Sequence, residues 1–138
     1  VLPVAALSFA ALLDGRLAGT LQSWPVALAT PGGRRVPLTL VGPVAVRPDV
    51  QRAGIGRALM DALLSAADAG RHDALVMIGD PEYYGRFFGF TAAATAGWSL
   101  PGPWEPHRLL ARITRPGGVP ADGALGPDPA FASARLSA

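Results

Sequence analysis

Gly54 and Gly56, set in the segment Gln51-Arg52-Ala53-Gly54-Ile55-Gly56-Arg57, are the residues whose type and spacing bear most directly on chemistry. Lacking a Cβ, each lets the backbone approach a ligand closely and adopt dihedrals that other residues avoid. The apolar positions Ile55, Leu59, Leu63, Leu64 and Ala67 recur at spacings of three and four, so a helix with one apolar face starts at this turn, and Gly70 is placed to stop it. The first amides of such a helix have no intrahelical partner and face the positive end of the macrodipole, which favours a phosphate by about 0.3–2 kcal/mol. Arg52 and Arg57 add positive charge. The pattern is neither the G-x-G-x-x-G of dinucleotide folds nor the G-x-x-x-x-G-K-[ST] of phosphoryl-transfer loops, and the chain has no lysine.

A second group of candidates follows the apolar run Ala74–Ile78. Asp80 and Glu82 lie just past the C-terminal end of what reads as a buried strand, where ligands bind in open α/β sheets. Either carboxylate can take a proton from an ammonium through water, or serve only as the N-cap and first-turn acid of the next helix. Tyr83 and Tyr84 come next on that helix. His72 is expected solvated in the loop before the strand, and His107 stands near Trp104 and Arg108 in a Pro-rich loop without metal-ligand spacing, so no metal site is expected. The absence of cysteine excludes disulfides, thiolate ligands and a Cys nucleophile, and is compatible with the cytosol.

Several elements must position these groups. Val4–Leu13 and Leu17–Ala29 read as a hairpin turning at Asp14-Gly15, and Pro37–Val46 as a third strand. Pro25 and Pro43 cannot donate ladder hydrogen bonds, so each is expected at an edge, a bulge or a splayed position. A helix from about Arg52 to Ala69, the strand Ala74–Ile78 and a short helix over Glu82–Phe88 follow, the last with Asp80 as N-cap and Pro81 near N1. Thr91–Leu100, interrupted at Gly97, and His107–Thr114 are the remaining strands. The chain from 116 to 138 is rich in Gly, Pro and Ala with little periodicity, and reads as a mobile or loosely docked tail behind a domain over 1–115.

At 138 residues the chain suits one core, and with 50% hydrophobic and 16% charged residues it is globular rather than disordered. A net charge of +2 carried by scattered arginines does not make a nucleic-acid surface. The apolar run Val1–Leu13 has no basic n-region, is interrupted by Asp14-Gly15-Arg16 and is too short to span a bilayer, so neither a signal peptide nor a membrane anchor is expected. These features lead to an expectation of a cytoplasmic protein. The Arg-for-Lys bias and the Ala, Gly and Pro content suggest a GC-rich bacterial genome.

The segment Gln51-x-x-Gly54-x-Gly56 resembles the [R/Q]-x-x-G-x-[G/A] signature of the GNAT N-acetyltransferase superfamily, whose loop amides hold the pyrophosphate of acetyl-CoA. The flanks extend the resemblance: Val44-Ala45-Val46-Arg47-Pro48 is similar to the family's fourth strand and Ala74–Gly79 to its fifth. Pro81–Phe90 resembles the helix ending in Tyr-x-x-x-Gly-Phe, whose Tyr protonates the CoA thiolate. Tyr84 precedes Gly89 by five residues rather than four, so a bulge or altered helix end must absorb the extra one; Tyr83 is the second choice.

The resemblance implies an α/β (α+β) fold. It is a mixed, mostly antiparallel sheet with a V-shaped splay between two parallel central strands and helices packed on it, without the family's first strand and first two helices. It implies acetyl-CoA as cosubstrate, the backbone of Val44 and Val46 along the pantetheine arm with Ala45 between them, and the loop Gln51–Arg57 on the phosphates. The implied activity is direct acetyl transfer to a small-molecule or peptidyl amine in a ternary complex. Without the wall that the missing elements form, a homodimer is one way to complete the acceptor cleft. The alternative is a catalytically inactive domain that binds an acyl-CoA or a protein partner.

Overall fold

Residues 1–70, 72–115 and 117–131 are described by the computed structural model. Strand β1 (Phe9–Leu13) reverses at Asp14 and Gly15, with φ of 51° and 76°, into the long β2 (Arg16–Ala29), as the Asp-Gly pair predicts. Next come β3 (Arg35–Val46), helix α1 (Ile55–Ala69), β4 (Ala74–Ile78), helix α2 (Pro81–Phe88), β5 (Gly97–Ser99), β6 (Leu109–Ile113) and β7 (Asp122–Pro127). The sheet order is β5-β7-β2-β3-β4-β6, with β1 beside the first part of β2. β3 and β4 are parallel, their flanking partners β2 and β6 antiparallel, so the expected mixed sheet with two parallel central strands is present.

Both faces of the sheet are covered. On one, Leu59, Met60, Leu63 and Ala67 of α1 pack on Leu21, Val41, Leu75, Met77 and Leu110. On the other, Val76 and Leu109 join Val26, Leu28, Leu38, Trp98 and Leu125. Successive residues of a strand point to opposite faces, which is why Leu75 and Met77 belong to the first cluster and Ala74 and Val76 to the second.

Pro25 and Pro43 sit where a ladder can spare a donor. Pro25 falls between the stretch of β2 that β1 covers, ending at Leu21, and the stretch that β7 covers, starting at Val26. Pro43 lies in the irregularity where Leu21 pairs with Val44 but Ser23 pairs with Val41.

Several expectations change. Val4–Leu13 is not strand throughout, since Ala5–Leu7 forms a 3-10 turn pinned by the Ser23 hydroxyl donating to the Leu7 carbonyl at 2.6 Å. The helix starts at Ile55 rather than Arg52: Pro48–Ala53 forms 3-10 turns, and Gly54, at φ 79°, breaks the path before α1. The expected strand Thr91–Leu100 shrinks to β5. Its small residues Ala93–Thr95 make a 3-10 turn, with the Ala93 N–H donating to the Thr91 hydroxyl at 3.0 Å and the Thr95 hydroxyl to the Leu109 carbonyl at 2.6 Å.

Within the segment read as a tail, Asp122–Pro127 is the strand β7, joining β2 to β5. Leu125 is its one buried bulky residue, and a Cβ on Gly123 would come within 2.8 Å of the Ala29 carbonyl and the Leu28 side chain. Close backbone approach there requires glycine, which erases the alternating apolar signal. Residues 132–138 of that segment lie outside the described residues.

Candidate functional site

The parallel pairing of β3 and β4 is short: Thr39 faces Leu75 and Leu40 faces Val76, after which β3 continues to Val46 without β4. On its other side β3 stays with β2, Val44 facing Leu21, Ala45 facing Thr20 and Val46 facing Gly19. The Arg47 N–H donates to the Ala18 carbonyl at 2.8 Å, marking that pair as hydrogen-bonded. Antiparallel ladders alternate, so Ala45 is bonded to β2 while the amides and carbonyls of Val44 and Val46 point into the splay. An extended ligand running there finds a free strand edge.

The turn after β3 is braced. The Arg47 guanidinium donates to both Asp49 carboxylate oxygens, at 2.6 and 3.1 Å, and to the Leu17 carbonyl at 3.0 Å. This pair raises the Arg47 pKa and lowers that of Asp49. Gly54 then takes up its left-handed conformation, and Ala58 is the first residue of α1 to donate within the helix, to the Gly54 carbonyl at 3.0 Å. The amides before it are the orphans of a helix N-terminus, and the first turn of α1 carries no acidic side chain.

The cleft of about 350 Å³ at this end is lined by Val44, Val46, Gln51, Gly54, Gly56, Arg57, Tyr83 and Tyr84. It therefore joins the splayed strand, the glycine turn and both tyrosines, from segments separated in sequence. The other residues of the turn stand differently. Ile55 is buried under α1, so only its backbone is offered to the cleft side; Arg52 and Ala53 are exposed outside the lining, and Ala45 lines a separate groove with Leu17 and Arg47.

Helix α2 carries the tyrosines because its start and end are both fixed. The Asp80 carboxylate accepts from the Glu82 N–H at 3.0 Å with Pro81 in the first turn, as expected of that sequence. The end is widened: the Gly89 N–H reaches the carbonyls of Gly85 and Tyr84, and the Phe90 N–H donates to Tyr84 at 3.2 Å. Tyr84 is half-buried and packs edge-on against Tyr83 at 4.9 Å between ring centroids. Burial first, then the charges of Tyr83 and Asp80, push its phenol above the ordinary tyrosine range. The phenol is thus held in its neutral form.

Two residues that touch the cleft lining escape a reading of the sequence. Phe87, 42% exposed, lies under the Arg57 guanidinium at 4.9 Å and beside that of Arg86 at 5.3 Å, linking α1 to α2. The one sign in the sequence that something differs there is the extra Phe, at 87 or 88, between Tyr84 and Gly89. Gly79 is the other, and only contact geometry identifies it. Trp98 is buried and donates to the Pro120 carbonyl at 3.0 Å, the core anchor that an isolated Trp most often is. His72 is half-buried at the opposite end of β4 rather than solvated. Among the described residues no cluster of three or more His, Asp or Glu is arranged to hold a metal ion, and no helix is long and apolar enough to cross a membrane.

Comparison with known proteins gives concordant results. The model of the acetyltransferase (GNAT) domain matches residues 6–93, well over half of the chain. A GNAT-family N-acetyltransferase from Escherichia coli solved with CoA shares the fold: TM-score 0.72 at 23% identity, over 94% of this chain and 70% of that one. A GNAT-family acetyltransferase from Brucella melitensis solved with acetyl-CoA is 29% identical, with a TM-score of 0.64 over 90% of this chain and 67% of that one. Eis1 from Mycobacterium abscessus is similar over 63% of this chain but only 22% of its own length, at 29% identity and a TM-score of 0.53. No curated protein matches by sequence.

Proposed function

This chain belongs to the GNAT acetyltransferase family, and from that premise we propose that it is an acetyl-CoA-dependent N-acetyltransferase acting on a primary amine by direct attack in a ternary complex. The observation that carries the reading is the single cleft lined by Val44 and Val46, the Gly54–Arg57 turn and Tyr84. Acetyl-CoA has a matching sequence of parts: an amide-rich arm for the strand edge, a pyrophosphate for the helix N-terminus and a thioester for the tyrosine.

In the reaction the neutral amine nitrogen attacks the thioester carbonyl carbon, and the carbon–sulfur bond breaks as the amide forms. The thiolate leaves with its electron pair and takes the Tyr84 phenolic proton, while the nitrogen loses one proton to water. The phenol is protonated at neutral pH and so available as the acid, and general acid catalysis of this kind is worth about 10²–10⁴-fold in rate. Tyr83, 39% exposed at the same cleft, is the second candidate. Val44 and Val46 contribute backbone, Gln51 and Arg57 side chains at the turn, and Arg52, Ala53 and Ile55 the path of the loop.

The test is calorimetric titration of the chain with acetyl-CoA beside a Gly54→Glu variant, which sets bulk and negative charge into the turn. Saturable binding by the wild type that the variant loses is expected, followed by acetyl transfer across a panel of amines. A folded wild-type chain that fails to bind acetyl-CoA removes the proposal. Binding with neither transfer nor hydrolysis leaves the acyl-CoA-binding domain as the reading.

A further inference from the structure

At the end of β4, on the side away from α1, two adjoining cavities share Glu105 and Arg108. One, about 510 Å³, is completed by Ile78, Pro103 and Trp104. The other, about 420 Å³, is completed by Asp80, Pro81, Glu82 and His107. Strand alternation sends Met77 into the core under α1 and turns Ile78 the other way, where it is left 57% exposed. A bare aliphatic side chain at a strand end, beside a half-buried indole and a proline, is an apolar seat.

The charges around this seat are unevenly used. Asp80 accepts from the Glu82 N–H, and Glu105 stands 3.4 Å from the His107 imidazole. Among the described residues, Glu82 and Arg108 have no ion-pair partner. Arg108 stands at the junction, lining both the apolar and the acidic cavity. A simple amine would gain from the carboxylates and lose to this guanidinium. A ligand with its own carboxylate gains from both, because a guanidinium fork matches a carboxylate in two parallel hydrogen bonds.

We propose that the double cavity binds the acceptor, and that the acceptor is an α-amino acid with an apolar side chain. Each of its three substituents has a partner group among the lining residues: ammonium toward Asp80 and Glu82, carboxylate on Arg108, side chain over Ile78 and Trp104. The placement suits transfer, since Asp80 opens the helix whose next turn carries Tyr84 and its carbonyl accepts from the Tyr84 N–H at 2.9 Å. As an acceptor site it rests on the transferase reading above; as a binding site it is testable without acetyl-CoA.

Calorimetry with L-phenylalanine, glycine and L-phenylalaninamide on the full chain reads the proposal directly. Phenylalanine is expected to bind about tenfold tighter than glycine, which lacks the apolar group, and than the amide, which lacks the carboxylate. Arg108→Gln should abolish the acid-over-amide preference, and Trp104→Ala the preference over glycine. The Arg108 backbone carbonyl, not its side chain, accepts from the Gly79 N–H at 3.0 Å, so the Gln variant keeps that contact. An amide that binds as well as the acid, glycine equal to phenylalanine, or no binding by the folded chain overturns the proposal. Phenylalanine binding with neither hydrolysis of acetyl-CoA nor transfer to any amine of the panel would remove the transferase reading and leave the pocket. Transfer to simple amines with no preference for the acid would do the reverse.

Discussion

The ring of Tyr84 lies against Gly79, so closely that a Cβ on Gly79 would stand 2.8 Å from both Cδ2 and Cε2 of the tyrosine. Gly79 is itself held by its N–H on the Arg108 carbonyl at 3.0 Å. The bare α-carbon lets α2 settle onto the end of β4 and holds the phenol at the splay. Gly79→Ala should therefore cost about 1–3 kcal/mol of stability, the usual range for overpacking, and displace Tyr84. Denaturant unfolding beside acetyl-transfer rates checks both, and an Ala variant with unchanged rate would show that the packing does not position the ring.

Tyr84→Phe removes only the hydroxyl and keeps the ring against Gly79. The expected result is a fall in kcat of about 10²–10⁴-fold with acetyl-CoA affinity nearly unchanged, because a proton donor to the leaving thiolate acts in the transition state alone. An unchanged kcat shifts the role to Tyr83, for which the same substitution is the control.

The pH dependence has a definite sign. The active form of Tyr84 is the neutral phenol, and its pKa is raised by burial and by Tyr83 and Asp80. Activity should persist through neutral pH, with its basic limb above the ordinary tyrosine value of about 10. Asp80→Asn removes one of the charges that disfavour the phenolate and should move the limb toward lower pH, while Asn still caps α2. A limb that does not move in a pH–rate profile separates Asp80 from the acid.

Acid should loosen the turn after β3. Asp49 is held below the ordinary carboxylate range by the Arg47 hydrogen bonds, so its folded pKa is depressed. The stability it lends is present above the unfolded Asp pKa of about 3.9 and is lost as pH falls through the folded value. Asp49→Asn should then lower the melting temperature at neutral pH and have little effect at pH about 2, below both values. Equal shifts at both pH values would mean that the pair contributes through packing instead.

Leu63 is fully buried between α1 and the sheet, and its truncation to Ala should cost about 2–5 kcal/mol in denaturant unfolding. A cost below about 1 kcal/mol would place the stabilising contact of α1 elsewhere.

Much of this molecule was legible in its residues because the signals were local. The spacing of Ile55, Leu59, Leu63 and Ala67 gave α1 its buried face, Asp80-Pro81 gave α2 its start, and Asp14-Gly15 gave the hairpin. The turn at Gly54 was legible too, since glycine takes most readily the left-handed conformation that the chain adopts just before α1. By contrast, β7 carries its information in what Gly123 lacks, and a missing side chain has no periodicity. The truncation of the strand Thr91–Leu100 was equally hidden, because Ala-rich sequence is neutral between a turn and an extended chain.

Tertiary structure alone decided which residues meet. The sequence by itself determined a strand, a glycine turn, an apolar helix face and a pair of tyrosines. The early end of the β3–β4 pairing opened the strand edge at Val44 and Val46, and the Tyr84–Gly79 contact set the tyrosine beside it. The physical reason is that backbone pairing and close packing depend on partners distant along the chain, whereas helix caps and turns are settled within a few residues.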